Sequence, residues 1–599
     1  MARFPHRLTG GRRTEAPGRF LFVDTETAPV PVDSRTTTNP LWFGAAMYWR
    51  RPHNRISERE IWHDFSKVTE FWDIVDHYSE DRQSLCIFAQ NFGFDLQVLG
   101  GFAAMRARGW EIKSAIIDSP PFIVKARRGG QALLLLDWLN YFRGSLAESG
   151  ELLGVPKLKM PEREAPFSDW TTYCRNDVLV LYRAVRKYLD FLSTYDMGTF
   201  AQTLAGQSLN AYRHRFMSSE IFIHTNSRAV ELERECYYGG RVEMFRRNIL
   251  PPRTYTYLDI NSAYPTVMRD GVFPTALRGM ENSPSLERLS TLAKSHLLVA
   301  GVWVRTEFPV LPKRQDGRLL FPVGEFYTTL ATPELLLALN RGLVTSCDVL
   351  AYYDGENIFK SWVEEIYALR KDAKLRGDHM YDELLKRLMN SLFGKFGQRN
   401  YEWETIDEHS AGPDHIWRQL DRDTGAIYTL RRLGGVLQIR RSVEEGFNSL
   451  VAIASHVTAA ARVLLLGYIE RAGWEHTYYC DTDSLIVDGS GAIRLRDYVN
   501  PTTLGALKIE GRSGKVRLGA PKNYTFGDKV KHKGRRKNAV PVGHGAYEQD
   551  QFVSLVGALR IGWEGGPLIR RIVKHDRMTY RKGVVNDDDS ISPIRLFRP

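Results

Sequence analysis

Apolar and polar positions change rhythm several times along the chain. Between residues 20 and 200, apolar runs at 20–23, 85–89 and 132–138 predict strands, and they alternate with stretches of helical period ending in the amphipathic segment 171–192. That alternation predicts an α/β domain. A second region opens at Tyr237, Tyr238, Gly239 and Gly240, continues in the strand-like segment 255–260, and is expected to turn at Tyr264 and Pro265. Helical period at 357–374 and 379–396, on either side of Gly377 and Asp378, predicts a helical hairpin. The most apolar helical stretch, 450–469, is interrupted by His456 and Arg462; no run of 18 apolar residues occurs, so no membrane span is expected. There is no internal repeat or low-complexity tract.

Composition narrows this picture to a folded, soluble protein of several modules. The chain has 599 residues, 43% hydrophobic and 25% charged, which excludes a small stapled scaffold and a wholly disordered or fibrous chain. With 82 Lys and Arg against 70 Asp and Glu, the net charge of +12 favours a polyanionic partner. The five cysteines are scattered without a CxxC pair, which fits a reducing compartment and no structural zinc. A cytoplasmic protein, not secreted, is expected. The first 19 residues hold Arg3, Arg7, Arg12, Arg13 and Arg19 against Glu15 alone; Pro5, Gly10, Gly11 and Pro17 argue for a basic arm over a targeting helix.

Chemistry enters through carboxylates. In FVDTET, Asp24 and Glu26 stand two apart on a strand and point to one face. QNFGFD adds Asn91, Phe94 and Asp95 after another strand; YCRND places Tyr173 and Asp177 one helical turn apart. Four carboxylates so arranged can hold two hard cations through oxygen, the arrangement used for phosphodiester cleavage, with Tyr173 orienting the attacking water. A second set lies in YLDINSAYP, with Asp259, Ser262 and Tyr264, and in YYCDTDSLIV, with Asp481 and Asp483 at an expected hairpin tip. Paired aspartates at a tip repel each other unless a cation sits there. Finally, Lys386 and Asn390 share a helical face, as do Arg370 and Lys374 on the partner helix; four such groups facing inward would repel without a polyanion, and a nucleoside triphosphate fits that gap.

In this order the strings resemble the motifs of family B DNA polymerases. DxE, Nx2FD and Yx3D resemble the three motifs of their 3′→5′ proofreading exonuclease. That resemblance implies a ribonuclease-H-like fold, contacts of Asn91 and Phe94 with the frayed primer end, and DNA-contacting roles for Ser145, Leu146 and Lys157. DxxSxYP and YxDTDS resemble motifs A and C of the polymerase palm, which makes Asp259 and Asp483 the metal-bridging carboxylates and Asp481 an accessory acid. Tyr264 would then lie under the incoming sugar and exclude a 2′-hydroxyl. KxxxNSxFG resembles motif B, with Phe393 where the family has Tyr. Tyr237, Gly239 and Gly240 resemble the YxGG element that touches template, and Lys522 and Tyr524 the KxY motif that grips the primer. The basic run 529–537 would be a thumb wall tracking phosphates.

The resemblance implies a right-hand polymerase with two Mg²⁺ per active site, replaceable by Mn²⁺. They would be held by Asp259 and Asp483 in the palm and by Asp24, Glu26 and Asp177 in the exonuclease. Expected boundaries are an arm at 1–19, exonuclease at 20–200, linker at 201–250, palm at 251–356, fingers at 357–399, palm again at 400–520, and thumb with C-terminal segment at 521–599. Long stretches between motifs, near 305–350 and 400–445, look like the insertions of protein-primed polymerases of phages, linear plasmids and mobile elements, which contact a terminal protein and clamp DNA. Expected partners are primer-template DNA, dNTPs and a terminal protein, with the chain a monomer in the host cytoplasm. A primer-independent polymerase, or a nuclease with an inactive polymerase part, stays open.

Overall fold

The structure, a computed structural model, describes residues 3–598 apart from 53–56, 81, 119, 544, 577 and 578. Its first unit is a seven-stranded sheet ordered Arg59–Phe65, Leu41–Arg50, Arg19–Thr27, Ser84–Ala89, Gln131–Asp137, Phe122–Arg128, Glu111–Ile117. The three apolar runs read from sequence lie in its centre, where Arg19–Thr27, Ser84–Ala89 and Gln131–Asp137 run parallel. Strands buried on both faces read as continuous apolar runs, not as alternation. The helix Phe167–Thr194 covers one face with Val178, Leu181, Val185 and Leu189. Its opposite positions are charged, which explains why the period was legible.

The second unit centres on a five-stranded sheet ordered Val242–Met244, Thr477–Asp481, Ser484–Asp488, Tyr255–Ile260, Leu507–Ser513. Tyr264 and Pro265 do not make the turn expected of them. The chain turns at Asn261 and Ser262, the latter at φ 52°, and Pro265 lies in the first turn of the helix Ala263–Asp270. A proline is tolerated there because the N–H it lacks would have no intrahelical partner. The predicted helical hairpin is present as Lys360–Leu375 and His379–Phe396. Between these elements runs Val451–Ala472, apolar and long enough to cross a membrane by length and composition, but 78% buried in its most apolar stretch. It is the central core helix, against which the helices Ala263–Asp270 and His379–Phe396 pack.

The two expected insertions differ in kind. Residues within 305–350 belong to a five-stranded sheet running from Phe273–Asn282 at one edge to Arg595–Leu596 at the other, from which the hairpin Lys313–Gln315 and Arg318–Leu320 projects. Residues 400–445 form an antiparallel sheet of their own, from Arg399–Asp407 to Val436–Glu445. It docks on the first unit: Leu433 and Ile416 join that unit's core, and Arg431 Nη1 donates to Ala115 O at 2.8 Å.

The ends of the chain are tied down. His6–Arg7 pairs with Phe222–Ile223, the His6 ring stacks on Phe447 at 4.3 Å, and Arg3 donates to Ser449 O at 2.7 Å. The N-terminal stretch is therefore a strap laid between units, not a free arm. Of the basic run, Lys529–His532 is a strand and Arg535 lies 3.5 Å from Asp576. The last residues, which carry no sequence motif, close three sheets. Leu568–His575 pairs with Thr36–Thr38, Gly583–Val585 with Ile591–Pro593, and Arg595–Leu596 with Val323 and Gly324.

Candidate active sites

The first site forms where the strand Arg19–Thr27 meets two helices. Asp24 and Glu26 leave the strand on the face covered by Phe167–Thr194, and ligand atoms of Asp24, Glu26 and Cys174 lie within 4.8 Å of one another. Asp95 comes from the helix Phe92–Val98 and is held by Thr25, whose hydroxyl donates at 2.7 Å. Asp177 comes from the long helix; one oxygen accepts from Lys157, while Oδ1 is buried with no hydrogen-bond partner. Lys157 also lies 4.9 Å over the Tyr173 ring. Burial dominates the electrostatics. It raises Asp24 well above the usual carboxylate range, with Asp95, Asp177 and Glu26 adding repulsion and Lys157 partly opposing. Burial and Asp177 push Glu26 up to about 7; burial, with repulsion from Asp137, pushes Asp95 up to about 8 against the Thr25 hydrogen bond. Clustered carboxylates short of counter-charge, one with a buried unpartnered oxygen, make an oxygen donor set suited to hard divalent cations, with the Cys174 thiol beside Asp24.

One residue that organises this site was missed. Asp137 is fully buried and accepts from the backbone N–H of Asn91 at 2.9 Å and Phe92 at 3.0 Å. It fixes the left-handed Asn91 (φ 63°) and so aims the turn carrying Phe94 and Asp95. Its signal was a lone acid closing an apolar strand run. Phe94 meets Phe552 of the C-terminal segment at 5.4 Å. Ser145 caps the helix Leu146–Leu153 in a reciprocal box with Glu148, and Leu146 is buried. These two therefore have structural work in the fold.

In the palm the expected hairpin is present. Asp481 ends one strand, Thr482 (φ 65°) and Asp483 make the turn, and Ser484 opens the next strand, which pairs directly with Asp259. Antiparallel pairing thus brings Asp259 beside Asp483 from 224 residues away in sequence. Burial and repulsion from Asp483 and Glu510 push Asp259 up to about 7, against Lys508 and Lys529. Burial and Asp481 raise Asp483. Asp481 itself is engaged: Lys522 Nζ lies at 3.0 Å, Lys531 at 3.8 Å, and the Tyr479 hydroxyl donates at 3.3 Å. Tyr524 shares a 3.2 Å hydrogen bond with Tyr257. Glu510 and Lys508, 2.8 Å apart, were not singled out; the alternating charges of that strand were visible, but its pairing with Asp259 was not.

Gly240 has a steric reason to be glycine. A Cβ there would stand 2.7 Å from Thr482 Cγ2, between the two motif C aspartates. Thr482 N donates to Arg241 O at 2.7 Å, so the Tyr237–Gly240 turn and the hairpin tip are one packed unit. Behind it Arg462, another residue without a role in the sequence reading, donates to Tyr238 O and Gly239 O at 2.9 Å each and makes a buried bidentate pair with Glu334.

The helical hairpin corrects one expectation. Its cations are not left to repel one another: Arg370 donates to Asp382 at 2.6 Å with Lys374 3.9 Å from the same carboxylate, and Lys386 lies 3.5 Å from Glu383. Resident acids balance these groups without a polyanion. Asn390 donates to Lys386 O at 2.7 Å. Lys374 and Lys386 keep about half their side-chain surface exposed, open to a further anion. Phe393 stacks on Tyr264 at 4.8 Å, joining motifs A and B through two rings.

Comparison with known proteins agrees with this geometry. Residues 159–414 match the family described as DNA polymerase type B, organellar and viral. The chain is 24% identical over 451 residues to the DNA-directed DNA polymerase of Enterobacteria phage PRD1, covering 68% of this chain and 73% of that protein. It is also 24% identical over 309 residues to the primer-independent DNA polymerase PolB of Escherichia coli, covering 42% of this chain and 35% of that one. Phi29 DNA polymerase complexed with primer-template DNA superposes with a TM-score of 0.66 at 14% identity, over 93% of this chain and all of that one. The chain is therefore similar to the type B DNA polymerases, in sequence over residues 159–414 and in fold over nearly its whole length.

Proposed function

We propose that this polymerase extends a primer 3′-hydroxyl on a DNA template at Asp259 and Asp483 and edits its product at Asp24, Glu26, Asp95 and Asp177. The observation that carries the reading is the pairing that sets Asp259 against Ser484, so that two half-buried aspartates far apart in sequence converge. Held by these carboxylates, two divalent cations, Mg²⁺ by preference for oxygen donors, would lower the charge on the α-phosphate and activate the attacking oxygen. The chain's own groups do the rest. Tyr264 and Phe393 present a ring wall to the incoming nucleotide. Lys386, Arg370 and Lys374 meet its phosphates, exchanging their present acidic partners for the triphosphate. Lys522 holds Asp481 beside the reacting end. In the editing site Tyr173, with Lys157 over its ring, would orient the attacking water. Purified protein given primed template, Mg²⁺ and one nucleotide at a time should add only the complementary one; no incorporation would overturn the reading.

Initiation on a terminal protein is the finer part of the proposal. It is supported by the separate sheet at 399–445 and by the likeness to the phage PRD1 polymerase. Start without a primer is a second reading, favoured by the likeness to the Escherichia coli enzyme. Offering a DNA primer, no primer, or a candidate terminal protein separates them by whether the product carries protein at its 5′ end.

A further inference from the structure

An aromatic cluster adjoins the exonuclease carboxylates without belonging to them. Trp42 meets Trp170 at 5.2 Å and Phe167 at 6.1 Å, and Phe43 meets Phe167 at 5.0 Å, all near-perpendicular. Phe43 and Trp170 are buried and form its base. Trp42, 37% exposed, and Phe167, 57% exposed, turn ring surface to solvent. Register fixes the location: Phe43 pairs with Glu26, so the two side chains leave neighbouring strands on one face. Phe167 opens the helix that carries Tyr173 and Asp177. Lys157 lies over the Tyr173 ring, and the exposed Lys159 lines a shallow hollow with Tyr173 and with Asp169 of the helix that Phe167 opens.

We propose that Trp42 and Phe167 are a stacking platform for bases of a single-stranded DNA 3′ end entering the exonuclease site. The proposal rests on the editing reading above and adds a specificity determinant to it. Exposed rings next to a cleavage site, with cations near it, suit sequence-tolerant single-strand binding, since every base has a π-face. A duplex hides those faces, so the platform favours a melted end. It is distinct from Phe94, which lies on another helix and is engaged by Phe552.

The test uses the full chain with Trp42→Ala, Phe167→Ala and Trp42→Phe. Two substrates are compared in Mg²⁺: a single-stranded oligodeoxythymidylate, and the p-nitrophenyl ester of thymidine 5′-monophosphate, which has no upstream base. KM for the oligonucleotide should rise about five- to a hundredfold in each alanine variant. Trp42→Phe should keep most of the affinity, and ester hydrolysis and primer extension should not change. An unchanged oligonucleotide KM in both alanine variants would overturn the proposal, as would equal loss on both substrates, which would make the rings mere support for the carboxylates. Anisotropy of a labelled oligonucleotide in an Asp24→Ala, Glu26→Ala background reads the platform without cleavage. If the wild-type chain cleaves neither substrate, the editing reading fails, and this binding measurement still decides the platform.

Discussion

The two acidic sites solve one electrostatic problem in opposite ways. In the first unit, Asp24, Asp95 and Asp177 lie between a sheet and two helices, and Lys157 is paired with Asp177. In the second unit, Asp259 and Asp483 sit at a strand end and a hairpin tip, with Lys508, Lys529 and Lys531 arriving from later strands and Lys522 from a turn. Burial raises the carboxyls of both; the first site stores repulsion that bound cations would relieve, and the second is built by pairing register and balanced by lysines from segments that close over it. Damage to one should therefore leave the other working.

The largest expected effects test that independence. Asp483→Ala should cut primer extension at least about a thousandfold, since a metal ligand contributes several kcal/mol at the transition state, and should leave 3′→5′ degradation intact. Asp24→Ala with Glu26→Ala should do the reverse. If either variant lost both activities while folded, the sites would not be separate.

Next in size is Gly240→Ala. The new methyl group would press on Thr482, and a shift of the hairpin tip near 1 Å costs about a hundredfold in extension. Degradation should stay normal, and gel assays of both activities on one preparation check this. A smaller change, about tenfold in KM for dNTP, is expected for Lys386→Ala, the loss of one charge-assisted contact.

The smallest effect is a pH dependence of stability. Folding raises Glu26 and Asp259 to about 7 and Asp95 to about 8. Such groups contribute stability that is full below their unfolded pKa near 4 and is lost as pH rises through 7 and 8. Metal-free protein should therefore melt a few degrees lower at pH 8.5 than at pH 6, and Mg²⁺ should recover more at the higher pH. A melting temperature that rises over this interval without metal would contradict the burial account.

Both sites were legible because their chemistry is concentrated in short strings. DTE on a strand, YCRND on a helix and DTD at a tip each fix a local geometry that period alone predicts. What was not legible depends on long-range register. Glu510 comes near enough to repel Asp259 only because Leu507–Ser513 pairs with Tyr255–Ile260, and Arg462 reaches the Tyr238 carbonyl from a helix over two hundred residues later. The cations of the helical hairpin were read as unbalanced, and the acids that balance them, Asp382 and Glu383, carried no motif of their own. The C-terminal strands pair with partners hundreds of residues away, and nothing in their local pattern names those partners.

The most direct measurement is a single assay on a primed DNA template whose primer ends in a 3′ mismatch, with Mg²⁺ and all four nucleotides. Wild-type chain should remove the mismatched nucleotide and then extend to full length. The Asp24→Ala, Glu26→Ala variant should stall at the mismatch yet extend a matched primer, and Asp483→Ala should shorten either primer and lengthen neither. Extension by the Asp483→Ala protein, or mismatch removal by the Asp24→Ala, Glu26→Ala protein, would contradict the assignment of two separate carboxylate sites.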